Sequence, residues 1–153
     1  MAFGQTARRV IKQGIDDLGR WSWMALEGAD NTIILVMSIY QCCRSRTNPQ
    51  GKTAYHQQET LLSERNKTDR DPRRNFYKDM CKFLRKFEKE TEQKVLPLLI
   101  GDWNEECMGR SNSKKLCDEF GLVNIFHGKH PNHKTFKTYQ EGSSFIDYGL
   151  IHS

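Results

Sequence analysis

The chain has 153 residues, with 24 basic and 19 acidic side chains and a net charge of +5. This length fits one ordinary domain or part of a larger one, and 37% hydrophobic residues exclude a disordered composition. No stretch approaches the roughly 20 apolar residues of a membrane span, and the first residues lack the apolar core of a signal peptide. The five cysteines are odd in number and include no CxxC pair, which favours a reducing intracellular compartment, nuclear or cytoplasmic.

The first third of the chain predicts a β-hairpin. Residues 1–18 show no clear period, so this extension stays without a predicted element. The alternation in GRWSWMALE (19–27) predicts a strand with Trp21 and Trp23 on one side. A turn signal at 28–31 leads into the apolar, β-branched run 32–40, which is typical of a strand covered on both faces.

The remaining segments predict a mixture of helices and strands. Helices are expected over 53–65 and after Asp71, a good N-cap that is followed by Pro72 and by an apolar stripe at helical spacing. A buried strand is expected within 95–101, beginning at or after Pro97, because proline cannot sit inside a central ladder. A helix over 113–120 should end at Gly121, and strands are expected over 122–126, 135–139 and 144–151. This order predicts an α/β or α+β layered domain.

Positive charge is concentrated in one segment. Residues 65–94 contain eleven basic and six acidic side chains, which gives +5, so the rest of the chain is neutral overall. A local basic excess suits a polyanion, so DNA, or possibly RNA in its place, is the predicted partner, and neither a membrane nor a small-molecule cofactor is expected. The candidate contacts are Arg73, Arg74, Lys78 and Lys82; a solvated helix face is the ordinary alternative.

Four polar residues in or directly after predicted strands are candidates for chemistry. Asp102 and Asn104 follow an entirely apolar strand and should share one side of the chain. An aspartate there can deprotonate a water and an asparagine can bind phosphate, although Asp-x-Asn is also common in turns and caps. Asp147 interrupts an apolar strand, where it is either outward-facing or part of a site. Tyr40 ends the long strand, as a site residue or as an ordinary aromatic.

These segments resemble a known family in their order. GDWNEE (101–106), GSSFIDYGLIHS (142–153) and SIYQCC (38–43) are similar to motifs of the deoxyribonuclease I-like endonuclease/exonuclease/phosphatase superfamily. The segments LGRWSWMALEG, GKTAYHQQETLL, DPRRNFYKDMCKFL, GLVN and KHPNHKTFKTY resemble the version found beside reverse transcriptases in mobile elements such as retrotransposons. The resemblance covers roughly residues 18–153 and implies a four-layer α/β/β/α fold.

The resemblance implies phosphodiester hydrolysis assisted by Mg²⁺ or Mn²⁺. Asp102 would activate the attacking water, and Asn104 would hold the scissile phosphate or support the metal. Tyr40 would contact the phosphate, and Asp147 resembles the aspartate that orients a catalytic histidine. Asp102 and Asn104 are therefore the expected metal-binding residues, while Trp103 replaces the family's usual phenylalanine.

The resemblance also implies that residues 1–153 form a single partial domain. The family's first asparagine and its metal-binding glutamate precede the hairpin, and its Ser-Asp-His follows the last strand, so the first strands and the last strand are expected to be missing. The main prediction is therefore a DNA endonuclease fragment with little or no activity as an isolated chain. Two alternatives stay open: a non-catalytic nucleic-acid-binding remnant, and a phosphoesterase that acts on a small phosphate or a lipid headgroup.

Overall fold

The computed structural model describes residues 4–44, 53–132, 137–138 and 144–153. Within these ranges the helices are α1 (Gly4–Ala7), α2 (Ala54–Glu64), α3 (Pro72–Glu90), α4 (Asn112–Phe120) and α5 (Ile125–Lys129). The strands are β1 (Val10–Ile15), β2 (Trp21–Glu27), β3 (Thr32–Tyr40), β4 (Lys94–Asp102), β5 (Leu122–Asn124) and β6 (Asp147–His152).

All six strands belong to one mixed sheet with the order β1-β2-β3-β4-β6-β5. The predicted hairpin is confirmed, since β2 pairs antiparallel with β3 along the whole length of β2. β3 and β4 pair parallel, and α2 and α3 lie between them in the chain, as a parallel connection requires. β6 inserts between β4 and β5 and is antiparallel to both. The predicted α/β layered fold class is confirmed: a helical layer packs on a mixed sheet.

The longest helix forms where the sequence predicts it. The side chain of Asp71 accepts hydrogen bonds from the backbone N–H groups of Arg73 and Arg74, so it caps α3, with Pro72 at the first helical position. The apolar stripe of α3 then packs on the sheet: Phe76 meets Trp21 edge-on, with ring centroids 5.7 Å apart. The predicted α4 also ends as expected, at Gly121 in the left-handed conformation.

A buried ion triad joins the β1–β2 turn to α3. Arg20 is only 3% exposed, and its guanidinium contacts Asp16 at 2.7 Å and Asp79 at 2.9 Å. Burial lowers the pKa of Arg20, but the hydrogen bonds and charges of Asp16 and Asp79 outweigh it and hold this pKa above its ordinary value. The triad therefore fixes the β1–β2 turn against α3 of the helical layer.

Only one face of the sheet is buried by the helical layer. In β3 the side chains of Ile33, Leu35, Met37 and Ile39 are buried, while the alternate side chains are half-buried or exposed. The prediction that this strand is covered on both faces is therefore wrong. We call the uncovered side the open face; its apolar side chains include Leu26, Ile34, Val36, Leu96, Leu98 and Ile100.

Two strands depart from the sequence prediction. β1 was not predicted, because this edge strand is exposed on both sides over most of its length and shows no alternation. β4 includes Pro97, although the strand was expected to begin at or after that residue. Pro97 pairs with Leu35 of β3, but β6 joins β4 only from Leu98 onward. On the side of Pro97 that faces away from β3, no strand is paired with β4, so the missing N–H of proline interrupts no hydrogen bond of the sheet.

Smaller differences occur near the end of the chain. The apolar stretch 122–126 contains the short strand β5 and then the start of α5, which was not predicted. The last strand begins at Asp147, three residues later than expected. Of the strand predicted over 135–139, only residues 137 and 138 lie within the described residues, and neither of these two is in a strand. Among the described residues, no helix combines the length and apolar character needed to cross a membrane. All five cysteines are free thiols.

Candidate functional site

Three of the predicted site residues form one row across three neighbouring strands, β3, β4 and β6, at the end of the sheet where β3 and β4 finish. Tyr40, the last residue of β3, is the register partner of Asp102, the last residue of β4. Asp102 is in turn the register partner of Asp147, the first residue of β6. Register partners on adjacent strands project to the same face, with Cβ atoms about 5 Å apart. The phenol and the two carboxylates therefore stand side by side at the rim of the open face.

A glycine lets the two parallel strands end close together. Gly101 lies between Ile39 of β3 and Tyr148 of β6 in the register. A Cβ atom at Gly101 would lie 1.9 Å from the carbonyl oxygen of Ile39, a distance that no side chain can occupy. The glycine before Asp102 in the GDWN segment is thus required by the close approach of the β3 backbone, and it helps to set where Asp102 emerges.

Trp103 fixes the strand end from the helical side. Its side chain is fully buried, and its ring stacks on Tyr148 with centroids 5.3 Å apart and planes 4° apart. The indole Nε1–H donates to the carbonyl oxygen of Tyr148 at 3.1 Å, and the backbone N–H donates to that of Ile146 at 2.9 Å. Trp103, between Asp102 and Asn104, therefore anchors the end of β4 on the helical side of the sheet.

Asn104 adopts a left-handed backbone conformation, with φ of +46°. Asparagine tolerates this region better than most residues. Its backbone N–H donates to Oδ1 of Asp102 at 2.9 Å, and its side-chain Nδ2 donates to the carbonyl oxygen of Gln41 at 2.6 Å. The Cys43 thiol donates to its Oδ1 at 2.9 Å. Asn104 therefore orients the Asp102 carboxylate and links the segments that follow β3 and β4.

Arg73 reinforces the same junction from the first turn of α3. Its Nη1 donates to the carbonyl oxygen of Cys42 at 2.8 Å, and its Nη2 donates to that of Asn104 at 2.9 Å. One guanidinium thus bridges the two segments that carry Tyr40 and Asp102. Sequence reasoning assigned Arg73 to nucleic acid only; the bridging contacts could not be found there, because the two carbonyls are about 30 residues away in the chain.

The other predicted nucleic-acid contacts lie on the outer side of α3. Arg74 and Lys78 are both exposed, and both contact the carboxylate of Asp69, at 3.2 Å and 2.8 Å. Lys82 is exposed and lines a cavity of about 280 Å³ together with Arg20. The four predicted contact residues therefore have two different roles. Arg73 bridges the segments that follow β3 and β4, and the other three form a stripe of exposed side chains along α3.

The surroundings of Asp102, the central residue of the row, favour its protonated form. Burial raises the pKa of Asp102 above its ordinary value, and the negative charge of Asp147 raises it further, against the hydrogen bonds from Asn104 and the charge of Arg73. Burial also raises the pKa of Tyr40, with smaller contributions from Cys43 and Asp102. Asp102 is thus shifted towards the range of a general base that works near neutral pH, while the phenol of Tyr40 stays protonated.

The donor atoms at the rim fit a hard divalent cation. Asp102 and Asp147 offer carboxylate oxygens from neighbouring strands, and Asn104 offers an amide oxygen, which are the ligand types that Mg²⁺ and Mn²⁺ take. The chemistry of these donors is therefore compatible with the metal that the resemblance implies. Among the described residues, no group of three or more histidine, cysteine, aspartate or glutamate side chains is arranged to hold a metal on its own.

The acidic pair after Asn104 has a structural role. The Tyr77 hydroxyl donates to Glu105 at 2.6 Å, and the backbone N–H of Asn112 donates to the same carboxylate at 3.1 Å. Glu106 accepts from the backbone N–H of Phe145 at 3.2 Å. These carboxylates therefore hold the segment between β4 and α4 against α3 and the start of β6. Sequence reasoning gave no signal for these contacts.

No protein-family profile matches this sequence, and no curated protein is significantly similar to it. Solved structures with a similar course of the chain include the human Nocturnin catalytic domain with a bound sulfate anion, at 13% identity, a TM-score of 0.44, and coverage of 86% of this chain and 40% of that one. An endonuclease/exonuclease/phosphatase family protein from Leptotrichia buccalis C-1013-b has 13% identity, a TM-score of 0.39, and coverage of 87% and 41%. One from Bacteroides thetaiotaomicron has 12% identity, a TM-score of 0.43, and coverage of 94% and 50%. The chain thus spans half or less of the length of each.

Proposed function

We propose that this chain is part of a metal-dependent phosphodiesterase of the endonuclease/exonuclease/phosphatase superfamily, a DNA endonuclease segment of the kind carried by mobile elements. The observation that carries the proposal is the row formed by Tyr40, Asp102 and Asp147, with Asn104 hydrogen-bonded to Asp102. These four residues come from three motifs that are distant in the sequence and that resemble the same family. Their meeting at one rim is what a shared site requires.

In this proposal each residue has a role that fits its surroundings. Asp102 accepts a proton from the attacking water, and the backbone N–H of Asn104 keeps its carboxylate in position. The protonated Tyr40, 44% exposed, donates a hydrogen bond to a phosphate oxygen. Asn104 holds Asp102 in place through its backbone N–H, and its side chain is kept at the rim by Gln41 and Cys43.

Asp102 and Asn104 would hold the metal in the proposed site. A bound Mg²⁺ or Mn²⁺ would supply Lewis-acid stabilisation of negative charge on the phosphate. Asp147 adds a second carboxylate beside Asp102. By resemblance, Asp147 would orient a catalytic histidine. His152 cannot be that histidine, because it lies at the far end of β6, where it pairs with Leu122.

The test is nicking of supercoiled plasmid DNA by the full chain with Mg²⁺ or Mn²⁺. Asp102→Ala removes the proposed base, whereas the control Asp17→Ala removes an aspartate whose side chain is 82% exposed and whose partner is Arg65 at 3.7 Å. Metal-dependent nicking that is lost with Asp102→Ala, kept with Asp17→Ala and stopped by a chelator supports the proposal. Nicking that survives Asp102→Ala contradicts it. A small phosphate ester assayed in parallel distinguishes the phosphoesterase alternative.

A second candidate is nucleic-acid binding without turnover. The observation that favours it is the stripe of Arg74, Lys78 and Lys82, three exposed basic residues spaced four apart on α3. Asp69 offsets part of the charge of the first two, which leaves Lys82 as the residue most available to a phosphate. On this reading DNA binding weakens as salt rises, and no cleavage accompanies it.

The binding test compares Lys82→Ala with Lys115→Ala, which removes an exposed lysine from α4. A contact between Lys82 and a phosphate predicts that Lys82→Ala reduces the slope of log affinity against log salt by about 1. Lys115→Ala should leave that slope unchanged. Equal effects of the two variants would show that the stripe is not the binding surface and that only net charge matters.

A further inference from the structure

Two cysteines from different parts of the fold meet beside the core. Cys107 belongs to the segment between β4 and α4, and Cys117 lies on α4; the two thiols are hydrogen-bonded, with their sulfur atoms 3.5 Å apart. Cys117 is part of the buried core between the sheet and the helices, and Cys107 packs against that core. The pair therefore lies on the helical side of the sheet and not on the open face.

The distance between the two sulfur atoms allows a covalent bond after a small movement. A disulfide has an S–S length of about 2.05 Å, so closure requires an approach of roughly 1.5 Å. Cys107 lies outside any helix or strand, so its approach need not break a backbone hydrogen bond of α4 or β4. The geometry of the pair is therefore suited to a disulfide that forms and opens within the folded chain.

The surroundings of the two thiols give them different roles. Cys107 is half-buried, whereas Cys117 is only 4% exposed. The hydrogen bond from Cys117 lowers the pKa of Cys107 against the effect of burial, and the Ser113 hydroxyl and the charge of Lys114 lower it further. Donation to Cys107, together with burial, raises the pKa of Cys117. Cys107 is thus the more accessible thiol and the one that ionises first, as in a redox-sensitive cysteine with a resolving partner.

We propose that Cys107 and Cys117 form a reversible redox pair, a modification site whose oxidant is a hydroperoxide such as hydrogen peroxide. The Cys107 thiolate attacks one peroxide oxygen, the O–O bond breaks, and the hydroxide that leaves takes up a proton to become water. Cys107 is then a sulfenic acid. The Cys117 sulfur attacks it, the S–S bond forms as the S–O bond breaks, and the thiol proton leaves with the oxygen as a second water. The two sulfurs lose two electrons, which the peroxide gains.

The disulfide ties the segment that follows Asn104 to α4 and is open to reduction. Intracellular disulfides are usually transient and redox-sensing, so this bond suits the reducing compartment that the cysteine pattern predicts. Two molecules of reduced glutathione reopen it by thiol–disulfide exchange and leave as one oxidised glutathione. The proposal does not depend on the proposed catalytic function.

The test is limiting hydrogen peroxide added to the reduced 153-residue chain, followed by alkylation of the remaining thiols and measurement of the intact mass. One disulfide leaves three of the five thiols to be alkylated, and reduced glutathione should restore all five. Tryptic cleavage after Arg110 and Lys115 separates the two cysteines, so only the disulfide joins peptides 95–110 and 116–129. This linked pair of peptides is the expected product.

Serine variants test the two roles. Cys117→Ser removes the resolving thiol, so Cys107 should stop at the sulfenic acid, which dimedone labels. Cys107→Ser should leave the buried Cys117 largely unreacted. Cys81→Ser is the matched control: Cys81 is also half-buried, burial raises its pKa to about 11, and its loss should leave the disulfide unaffected. In the wild type, Cys81 should react about ten times more slowly than Cys107, because less of it is thiolate.

The peptide mapping is done on the wild type, so it decides the proposal even if a serine variant does not fold. A wild type in which peroxide leaves Cys107 and Cys117 reduced would overturn the proposal. So would a disulfide that joins other cysteines or two chains, a Cys81 that reacts as fast as Cys107, or a Cys81→Ser variant that forms no disulfide.

Discussion

Arg73 and Asn104 are joined by a hydrogen bond of 2.9 Å from the guanidinium Nη2 to the backbone carbonyl, and Nη1 of the same group reaches Cys42. The Arg73→Ala variant loses both charge-assisted bonds and leaves two carbonyls without their donors. We expect a loss of about 2 kcal/mol in the free energy of unfolding, measured by urea titration. Arg73→Lys should recover only part of it, because an ammonium group lacks the planar fork that spans two acceptors.

Arg74 supplies the control for this prediction. It is the next residue in the same helix, its side chain is 63% exposed, and its partner is the carboxylate of Asp69. Arg74→Ala should change the free energy of unfolding by no more than about 0.5 kcal/mol. If Arg73→Ala and Arg74→Ala lose the same free energy of unfolding, the hydrogen bonds from Arg73 to Cys42 and Asn104 do not stabilise the fold.

Gly101 should tolerate no side chain. In Gly101→Ala the new Cβ would lie 1.9 Å from the Ile39 carbonyl oxygen, a backbone atom held in the sheet. Relief requires that β3 and β4 separate at the row, so we expect a cost of about 3 kcal/mol or more, measured as a fall in the urea midpoint.

Gly149→Ala is the comparison, because Gly149 is also a strand glycine with a close neighbour. Its new Cβ would meet Cδ1 of Ile125 at 2.7 Å, the flexible end of a side chain that can rotate away. A cost of about 1 kcal/mol is expected. A Gly101→Ala variant as stable as Gly149→Ala would mean that the β3 and β4 ends separate easily.

The Arg20 triad should be sensitive to loss of its cation. Arg20→Met leaves Asp16, whose side chain is 8% exposed, and Asp79 without their partner, so we expect a loss of about 3–5 kcal/mol. Arg65→Met breaks an exposed pair with Asp17 at 3.7 Å and should cost less than about 1 kcal/mol. Thermal unfolding of both variants checks this, and similar losses would contradict it.

The stability conferred by Asp102 should depend on pH. Its pKa is higher in the folded chain than in the unfolded chain, chiefly because of burial, so the folded state binds more protons in the interval between the two values. Stability therefore falls as pH rises through this interval, and the Asp102 carboxylate opposes folding above it. The Asp102→Asn side chain does not titrate, so this variant lacks that pH dependence, and it keeps an oxygen acceptor for the Asn104 N–H.

We therefore expect the free energy of unfolding of Asp102→Asn, relative to the wild type, to increase from pH 4 towards pH 7 and then to level off. Urea titrations at several pH values, with a chelator present throughout, measure this difference. A difference that decreases with rising pH would mean that the local hydrogen bonds and Arg73 outweigh burial, so that the pKa of Asp102 is lowered instead.

Local sequence signals were sufficient for the elements whose cause is local. The cap at Asp71, the apolar stripe of α3 and the glycine stop at Gly121 each depend on residues within a few positions, so they could be predicted. The alternation of β2 was likewise enough to place Trp21 and Trp23 on one side. The β1 strand could not be found, because a mostly exposed edge strand leaves no hydrophobic period.

Sequence alone thus determined the layered α/β class and supplied four candidate site residues: Tyr40, Asp102, Asn104 and Asp147. Only the tertiary structure decided that three of them stand in one row, because strand register joins residues more than 40 positions apart. It also decided which face of the sheet is buried, because a run of apolar residues does not indicate on which side the helices pack. The bridging role of Arg73 and the uncovered face of the sheet therefore emerged only from the folded chain.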